Sequence, residues 1–172
     1  MKKTTLFILA ATFLVGGAVL SAAQGQFAGT WRLDPSKSSL GEMYGDIVPD
    51  ITLVLAIEGN TLTLRRTVTV MGNERSSRAV LTMDGKECVN DGESFKGLKS
   101  TCKSDGVKMR IAGEREGARM TIEGGGEPQT DYFAYKFEEE YSLSADGKVL
   151  TVAQKMAMPD GEKSLTLVFN RA

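Results

Sequence analysis

The sequence predicts an all-β domain: an antiparallel up-and-down meander of about eight to ten strands, closed into a barrel. Three observations carry this. Apolar residues alternate with polar ones over many short stretches, the period-2 mark of half-buried strands. Asp-Gly pairs at 84, 105, 146 and 160 punctuate those stretches, and Asp-Gly suits the tight hairpin turn that needs positive φ at both central residues. Nowhere beyond the apolar first segment is a 3.6-residue apolar period sustained. A two-sheet sandwich is the runner-up architecture.

The first segment reads as a secretory signal rather than as part of the domain. Lys2 and Lys3 precede an uncharged apolar run from Leu6 to Leu20, followed by Ser21-Ala22-Ala23. This is the order of a signal peptide, with cleavage expected after Ala23. Residues 1–23 are thus the signal, and 24–172 are a single domain outside the cytoplasm, secreted or periplasmic. The rival reading is a membrane anchor, for which the run is short of the roughly 20 residues a bilayer span needs. No stable membrane span is expected after processing.

Phe27 to Leu33 reads as a first strand holding Trp31, the one tryptophan of the chain. Pro35 ends it, because proline cannot continue a central strand. A long loop then runs to Pro49, with a helical turn possible near Leu40 to Tyr44. Ile51, Leu53, Leu55 and Ile57 share one face. After Gly59-Asn60, so do Leu62, Leu64, Val68 and Val70, which makes a hairpin. Ser77, Ala79, Leu81 and Met83 continue the rhythm. The segment from Val89 to Leu98 is too polar and glycine-rich to assign. Val107, Met109 and Ile111 alternate, and Gly113 to Gly117 reads as a turn into Ala118, Met120 and Ile122. Gly124-Gly125-Gly126 reads as a flexible connection, since a phosphate loop would lead into a helix with a Lys-Ser/Thr pair. Phe133, Tyr135, Phe137, Tyr141 and Leu143 form a long strand in phase. Two further strands, Val149 to Met156 and Leu165 to Phe169, bring Arg171 next in register.

Composition narrows the function. Among 172 residues there is no histidine, and the formal net charge is -1. Histidine-based triads and most zinc sites are thereby removed, and no metal or cofactor is expected. There is no basic excess to attract nucleic acid. Glu138, Glu139 and Glu140 are adjacent on a strand and alternate faces, which does not make an acid/base pair, so no catalytic residue is assigned and no enzyme is expected. Cys88 and Cys102, an even count beyond an export signal, are expected to form a disulfide.

Two charges break the apolar faces. Arg66 falls in phase with Leu64 and Val68, and Glu139 in phase with Phe137 and Tyr141. A charge on an inner face is costly unless paired. One reading is that both line a cavity and bind the polar head of an amphiphile, with Tyr135, Phe137, Tyr141, Met83, Met109 and Met120 as the soft apolar wall. The other is that they pair with each other, or that a β-bulge turns one of them outward. The function expected is an exported, non-catalytic barrel binding a small hydrophobic or amphiphilic ligand. The alternative is an envelope interaction or inhibitor module with a filled core, its contact loops at Gly41 to Pro49 and Gly124 to Thr130.

Several stretches resemble a known group. Gly29-Thr30-Trp31 on the first strand, with Arg171 on the last, resembles the calycin pattern of lipocalins and fatty-acid-binding proteins. The run from Phe27 through Ala28-Gly29-Thr30-Trp31-Arg32-Leu33-Asp34-Pro35-Ser36-Lys37 to Ser38 is similar to the opening of secreted bacterial lipocalin-like proteins of mostly unassigned function. Leu143-Ser144-Ala145-Asp146-Gly147-Lys148-Val149-Leu150-Thr151-Val152 resembles their penultimate hairpin. The resemblance implies a lipocalin-like barrel closed at one end by Gly29 and Trp31, with Arg171 packed across the indole. A guanidinium stacked on an indole also has its own attraction, about 0.5–2 kcal/mol.

Overall fold

A computed structural model of the protein describes residues 25–44, 47–121 and 129–172. The expected signal, the Gly124-Gly125-Gly126 connection, Ile122 and the side chain of Met120 lie outside the described residues. Ten strands run in chain order: β1 (Gly29–Leu33), β2 (Asp50–Glu58), β3 (Thr61–Val70), β4 (Asn73–Thr82), β5 (Asp84–Asn90), β6 (Leu98–Ser104), β7 (Lys108–Thr121), β8 (Gln129–Leu143), β9 (Val149–Met158) and β10 (Gly161–Arg171). They form one sheet in the order β4-β3-β2-β1-β10-β9-β8-β7-β6-β5. Every described ladder is antiparallel and joins sequence neighbours, except that β1 pairs with β10, while β4 and β5 share no ladder. This is the up-and-down meander, curled into a nearly closed barrel.

The interior follows from strand alternation. Ile51, Leu53 and Leu55 of β2, Leu62 and Leu64 of β3, Leu150, Val152 and Met156 of β9, and Leu165, Leu167 and Phe169 of β10 all point into one apolar core. Side chains two apart on a strand share a face, so the alternating stretches dictate the core almost residue by residue.

The seam between the edge strands β4 and β5 is made by side chains rather than by a backbone ladder. The Asn90 carboxamide closes on Val80 twice, accepting from its N–H at 2.8 Å and donating to its carbonyl at 3.2 Å. The Thr82 N–H donates to Cys88 Sγ at 3.3 Å. An asparagine amide mimics a peptide unit, so it satisfies an edge that would otherwise be left open.

One end of the barrel is sealed where the first and last strands, β1 and β10, meet. Trp31 is fully buried and donates its indole N–H to the Phe27 carbonyl at 3.0 Å. The Arg171 guanidinium lies over the indole, 4.2 Å from its ring centre. It also donates to the carbonyls of Gly147, Ala28 and Gln26 at 3.0, 2.8 and 2.8 Å. Gly29 makes room for it. With φ at +142°, a Cβ there would sit 2.7 Å from Arg171 Nη1.

Two expectations are corrected and one unassigned segment is filled in. The cysteines are free thiols. Register places Cys88 directly opposite Ser100, so Cys102 is its diagonal neighbour. Diagonal partners lie about 7–8 Å apart, beyond the roughly 4.4–6.8 Å Cα separation of a disulfide. Cys102 is instead a buried core residue, its thiol pushed up to about 12 by burial and then by Cys88. Second, Gly113 to Gly117 is no turn but the middle of β7. A Cβ at Gly113 would stand 2.2 Å from the Lys99 carbonyl oxygen, so this glycine lets the β6 backbone pass close by without ending the strand. Third, the unassigned segment from Val89 to Leu98 holds the end of β5 and the start of β6, joined by a loop over 91–97. That loop is gathered on Glu116, whose carboxylate accepts the N–H groups of Ser94 and Phe95 at 2.7 and 2.9 Å.

The seal gives a stability test. Trp31→Ala should lose about 3–5 kcal/mol in denaturant unfolding, the range for truncating a buried aromatic ring. Arg171→Ala should lose about 2 kcal/mol, from the stacking and the three hydrogen bonds together. Arg171→Lys should recover little of it, because lysine lacks the planar fork. Wild-type stability in all three would show that β1 and β10 are not held this way.

Candidate functional site

Alternation along β3 carries Arg66 inward behind Leu62 and Leu64, and alternation along β8 carries Tyr135, Phe137, Glu139 and Tyr141 inward. Between β8 and β6 runs β7, whose Arg115 stands directly opposite Tyr135. These three strands meet on one buried carboxylate. Glu139 is 2% exposed. Its Oε1 accepts from Arg66 Nη2 at 2.7 Å and from Arg115 Nη1 at 2.8 Å, and its Oε2 accepts from Arg115 Nη2 at 3.1 Å and from the Tyr141 hydroxyl at 2.6 Å.

Electrostatics hold the cluster in one state. Burial alone would raise the Glu139 carboxyl. The charges of Arg115 and Arg66 and the hydrogen bonds from Arg115 and Tyr141 outweigh it, and the group titrates well below the usual carboxylate range. Burial and the neighbouring Glu139 charge push the Tyr141 hydroxyl well above its ordinary value. At neutral pH the cluster therefore holds two guanidinium ions against one carboxylate.

The two arginines are not equivalent. Arg115 grips Glu139 with both terminal nitrogens, and its guanidinium lies 3.9 Å from the centre of the Phe137 ring. Arg66 reaches Glu139 through Nη2 alone, and its side chain is 11% exposed. Its Nε is the one fully buried side-chain polar atom without a hydrogen-bond partner among the described residues.

Beside this cluster lies a cavity of about 380 Å³. Arg66 and Arg115 line it, with Tyr135 and Phe137 of β8, Gln154 and Met156 of β9, and Leu165 and Leu167 of β10. Met43 and Tyr44, from the connection between β1 and β2, also reach it. The Tyr44 hydroxyl is kept protonated by burial, against the pull of the Arg66 charge. Exposed Arg75, Arg78, Asp91 and Glu93 and half-buried Glu114 and Glu116 border the same space. The last two already serve the β5–β6 region, Glu116 through Ser94 and Phe95 and Glu114 through the Lys99 N–H at 3.5 Å.

The residues singled out from sequence fall into three groups. Arg66, Tyr135 and Phe137 stand at the cavity wall. Glu139 and Tyr141 lie behind it, organising the arginines. Met83 and Met109 are buried in the core and do not border the cavity. Arg115, Gln154 and Tyr44 were not singled out. Arg115 was hidden because its stretch reads as a turn. Gln154 shares the strand phase of Leu150, Val152 and Met156, so the same test that marks Glu139 could have marked it. Tyr44 sits in a loop, where alternation gives no signal.

Comparison with known proteins bears on the fold. No family model matches the chain, and no curated protein matches it. Among solved structures, a variant of the fluorescent protein UnaG superposes with a TM-score of 0.53 at 16% identity, covering 87% of this chain and 98% of the other. An abundant heat soluble (SAHS) protein of Ramazzottius varieornatus gives 0.54 at 9% identity, covering 86% and 96%. A zebrafish ileal bile acid-binding protein complexed with cholic acid gives 0.50 at 13% identity, covering 86% and 99%. At such identities the likeness concerns the fold alone: this chain has the calycin-type β-barrel.

Proposed function

We propose that this protein is an exported, non-catalytic carrier that binds one small amphiphile in its barrel, with the acidic head on Arg66. The observation that carries this is the Arg66 guanidinium: buried, bordering the cavity, with Nε unpaired. A buried donor without an acceptor costs about 1–3 kcal/mol, and an incoming carboxylate would remove that cost. The formal charge points the same way, since two guanidinium ions face one carboxylate and an anion brings the floor to neutrality. The apolar wall of Phe137, Met156, Leu165 and Leu167 suits the ligand's tail. The bound cholic acid of the zebrafish barrel, itself an acidic amphiphile, supports the same reading.

Export rests on the Lys2-Lys3 start, the Leu6 to Leu20 run and the Ser21-Ala22-Ala23 site. The likeness of residues 27–38 and 143–152 to secreted bacterial lipocalin-like proteins supports it too. The rival interaction module has a filled core, and a cavity of about 380 Å³ beside unspent donors favours the carrier.

Displacement of a fluorescent fatty acid should show saturable, one-to-one binding. Arg66→Met should weaken it roughly ten- to a hundredfold, the equivalent of one charge-assisted hydrogen bond. Absence of saturable binding by the wild type, or equal binding by Arg66→Met, would end this reading.

Glu139→Gln should cost about 3 kcal/mol at pH 7, because it leaves two buried guanidinium ions facing a neutral group. The Glu139 carboxyl is depressed in the folded state, so its contribution is complete above the ordinary value of 4.5 and fades as pH falls. The stability gap between wild type and Glu139→Gln should therefore narrow below that pH, by about 1.4 kcal/mol per pH unit. Denaturant unfolding from pH 7 to 3 measures it; a gap that stays constant would mean that Glu139 is not held ionised by the arginines.

A further inference from the structure

Among the described residues, three polar ones are buried in the barrel interior: Ser100, Glu139 and Gln154. Two are accounted for. The Ser100 hydroxyl donates to the Glu114 carbonyl at 3.3 Å, and Glu139 accepts from Arg66, Arg115 and Tyr141. Gln154 is 3% exposed and lines the cavity. Its carboxamide takes no part in the floor's hydrogen bonds, although it stands directly opposite Glu139 in the β8–β9 ladder. Directly opposed residues have Cβ atoms about 4.5–5.5 Å apart, so the Gln154 amide and the Arg66–Glu139 contact share one small region of the cavity floor.

The two groups ask for different things. Arg66 offers donors only, while a carboxamide offers two donors and one acceptor oxygen. A simple carboxylate can accept from both but gives the Gln154 oxygen nothing. An apolar tail beside that oxygen would leave a buried acceptor unpaired, and buried polar groups are seldom left so. A ligand that fits both carries a hydrogen-bond donor close to its acid group.

We infer that the ligand of this barrel is a medium-chain acid with a hydroxyl group next to its carboxylate, and that Gln154 is the residue that reads the hydroxyl. This rests on the anion site proposed for Arg66 and deepens it. The hydroxyl would donate to Gln154 Oε1 while the carboxylate accepts from the Arg66 guanidinium. Chain length follows from volume. The cavity, about 380 Å³, is at the low end of the roughly 300–1,000 Å³ of ligand pockets, which disfavours long-chain acids. Sites built to bond a substrate hydroxyl discriminate strongly against analogues that lack it.

The test is a matched series on the full-length protein: decanoic acid, 2-hydroxydecanoic acid, 3-hydroxydecanoic acid and hexadecanoic acid, followed by titration calorimetry. The wild type should bind one of the two hydroxy acids at least tenfold more tightly than decanoic acid, and decanoic acid more tightly than hexadecanoic acid. In Gln154→Leu the hydroxyl preference should vanish while decanoic acid binding persists. That variant should also keep wild-type thermal stability, since it removes a polar group that holds nothing in the fold. Equal affinity for the three ten-carbon acids, a preference that survives Gln154→Leu, or a large loss of stability in that variant would overturn the inference while leaving the Arg66 site standing. Failure of every acid to bind the wild type would overturn both.

Discussion

A carboxylate closed off from water must be neutralised, and in this barrel that requirement links strands far apart in sequence. Glu139 on β8 is met by Arg66 from β3, Arg115 from β7 and Tyr141 two residues along its own strand. Removing an ion from water costs several kcal/mol even in a real protein interior, and good geometry with further hydrogen bonds is needed to offset it. Here the carboxylate is saturated: Arg115 and Tyr141 secure one oxygen, and Arg115 and Arg66 the other. The surplus therefore lies on the cationic side, and it lies on Arg66, which borders the cavity, gives Glu139 one nitrogen and keeps its Nε without a partner.

The scaffold that permits this has unequal ends. Where β1 meets β10, backbone ladders, the buried indole and the Arg171 fork act together. Where β4 meets β5, single side chains take the place of a ladder. The cavity reaches toward this second seam, since Ser76, Ser77, Ala79 and Asn90 all border it. The loop over 91–97, pinned by Glu116, adjoins the same cavity.

Much of this was legible in the sequence, and the parts that were not share a cause. Strict alternation from Ile51 to Val70 and from Phe133 to Leu143 fixed strand, face and register together, because a one-residue slip would invert every side chain. The same rule exposed Arg66 and Glu139 as charges out of place, and the fold places both indoors. It failed wherever glycine interrupted the pattern. Gly113 and Gly117 suggested a turn, yet Gly113 is there because the β6 backbone comes too close for a Cβ. A glycine that serves packing and one that serves a turn look alike in a sequence, and Arg115 was lost between two of them. β5 and β6 were obscured by their polar content, since β5 lies at the sheet edge and most of its side chains face water. The cysteines showed the limit of counting: an even number says nothing of register, and register sets Cys88 opposite Ser100 rather than Cys102.

Arg66, and not Arg115, carries the unpaired buried donor of the interior among the described residues. Nitrogen-15 NMR of the arginine Nε–H groups during titration with decanoic acid tests it most directly. The Arg66 Nε–H resonance should move in proportion to site occupancy, as a new acceptor reaches a donor that had none, while the Arg115 resonance stays nearly fixed in its grip on Glu139. An unmoved Arg66 resonance at saturation, or a displacement of Arg115 instead, would contradict the account.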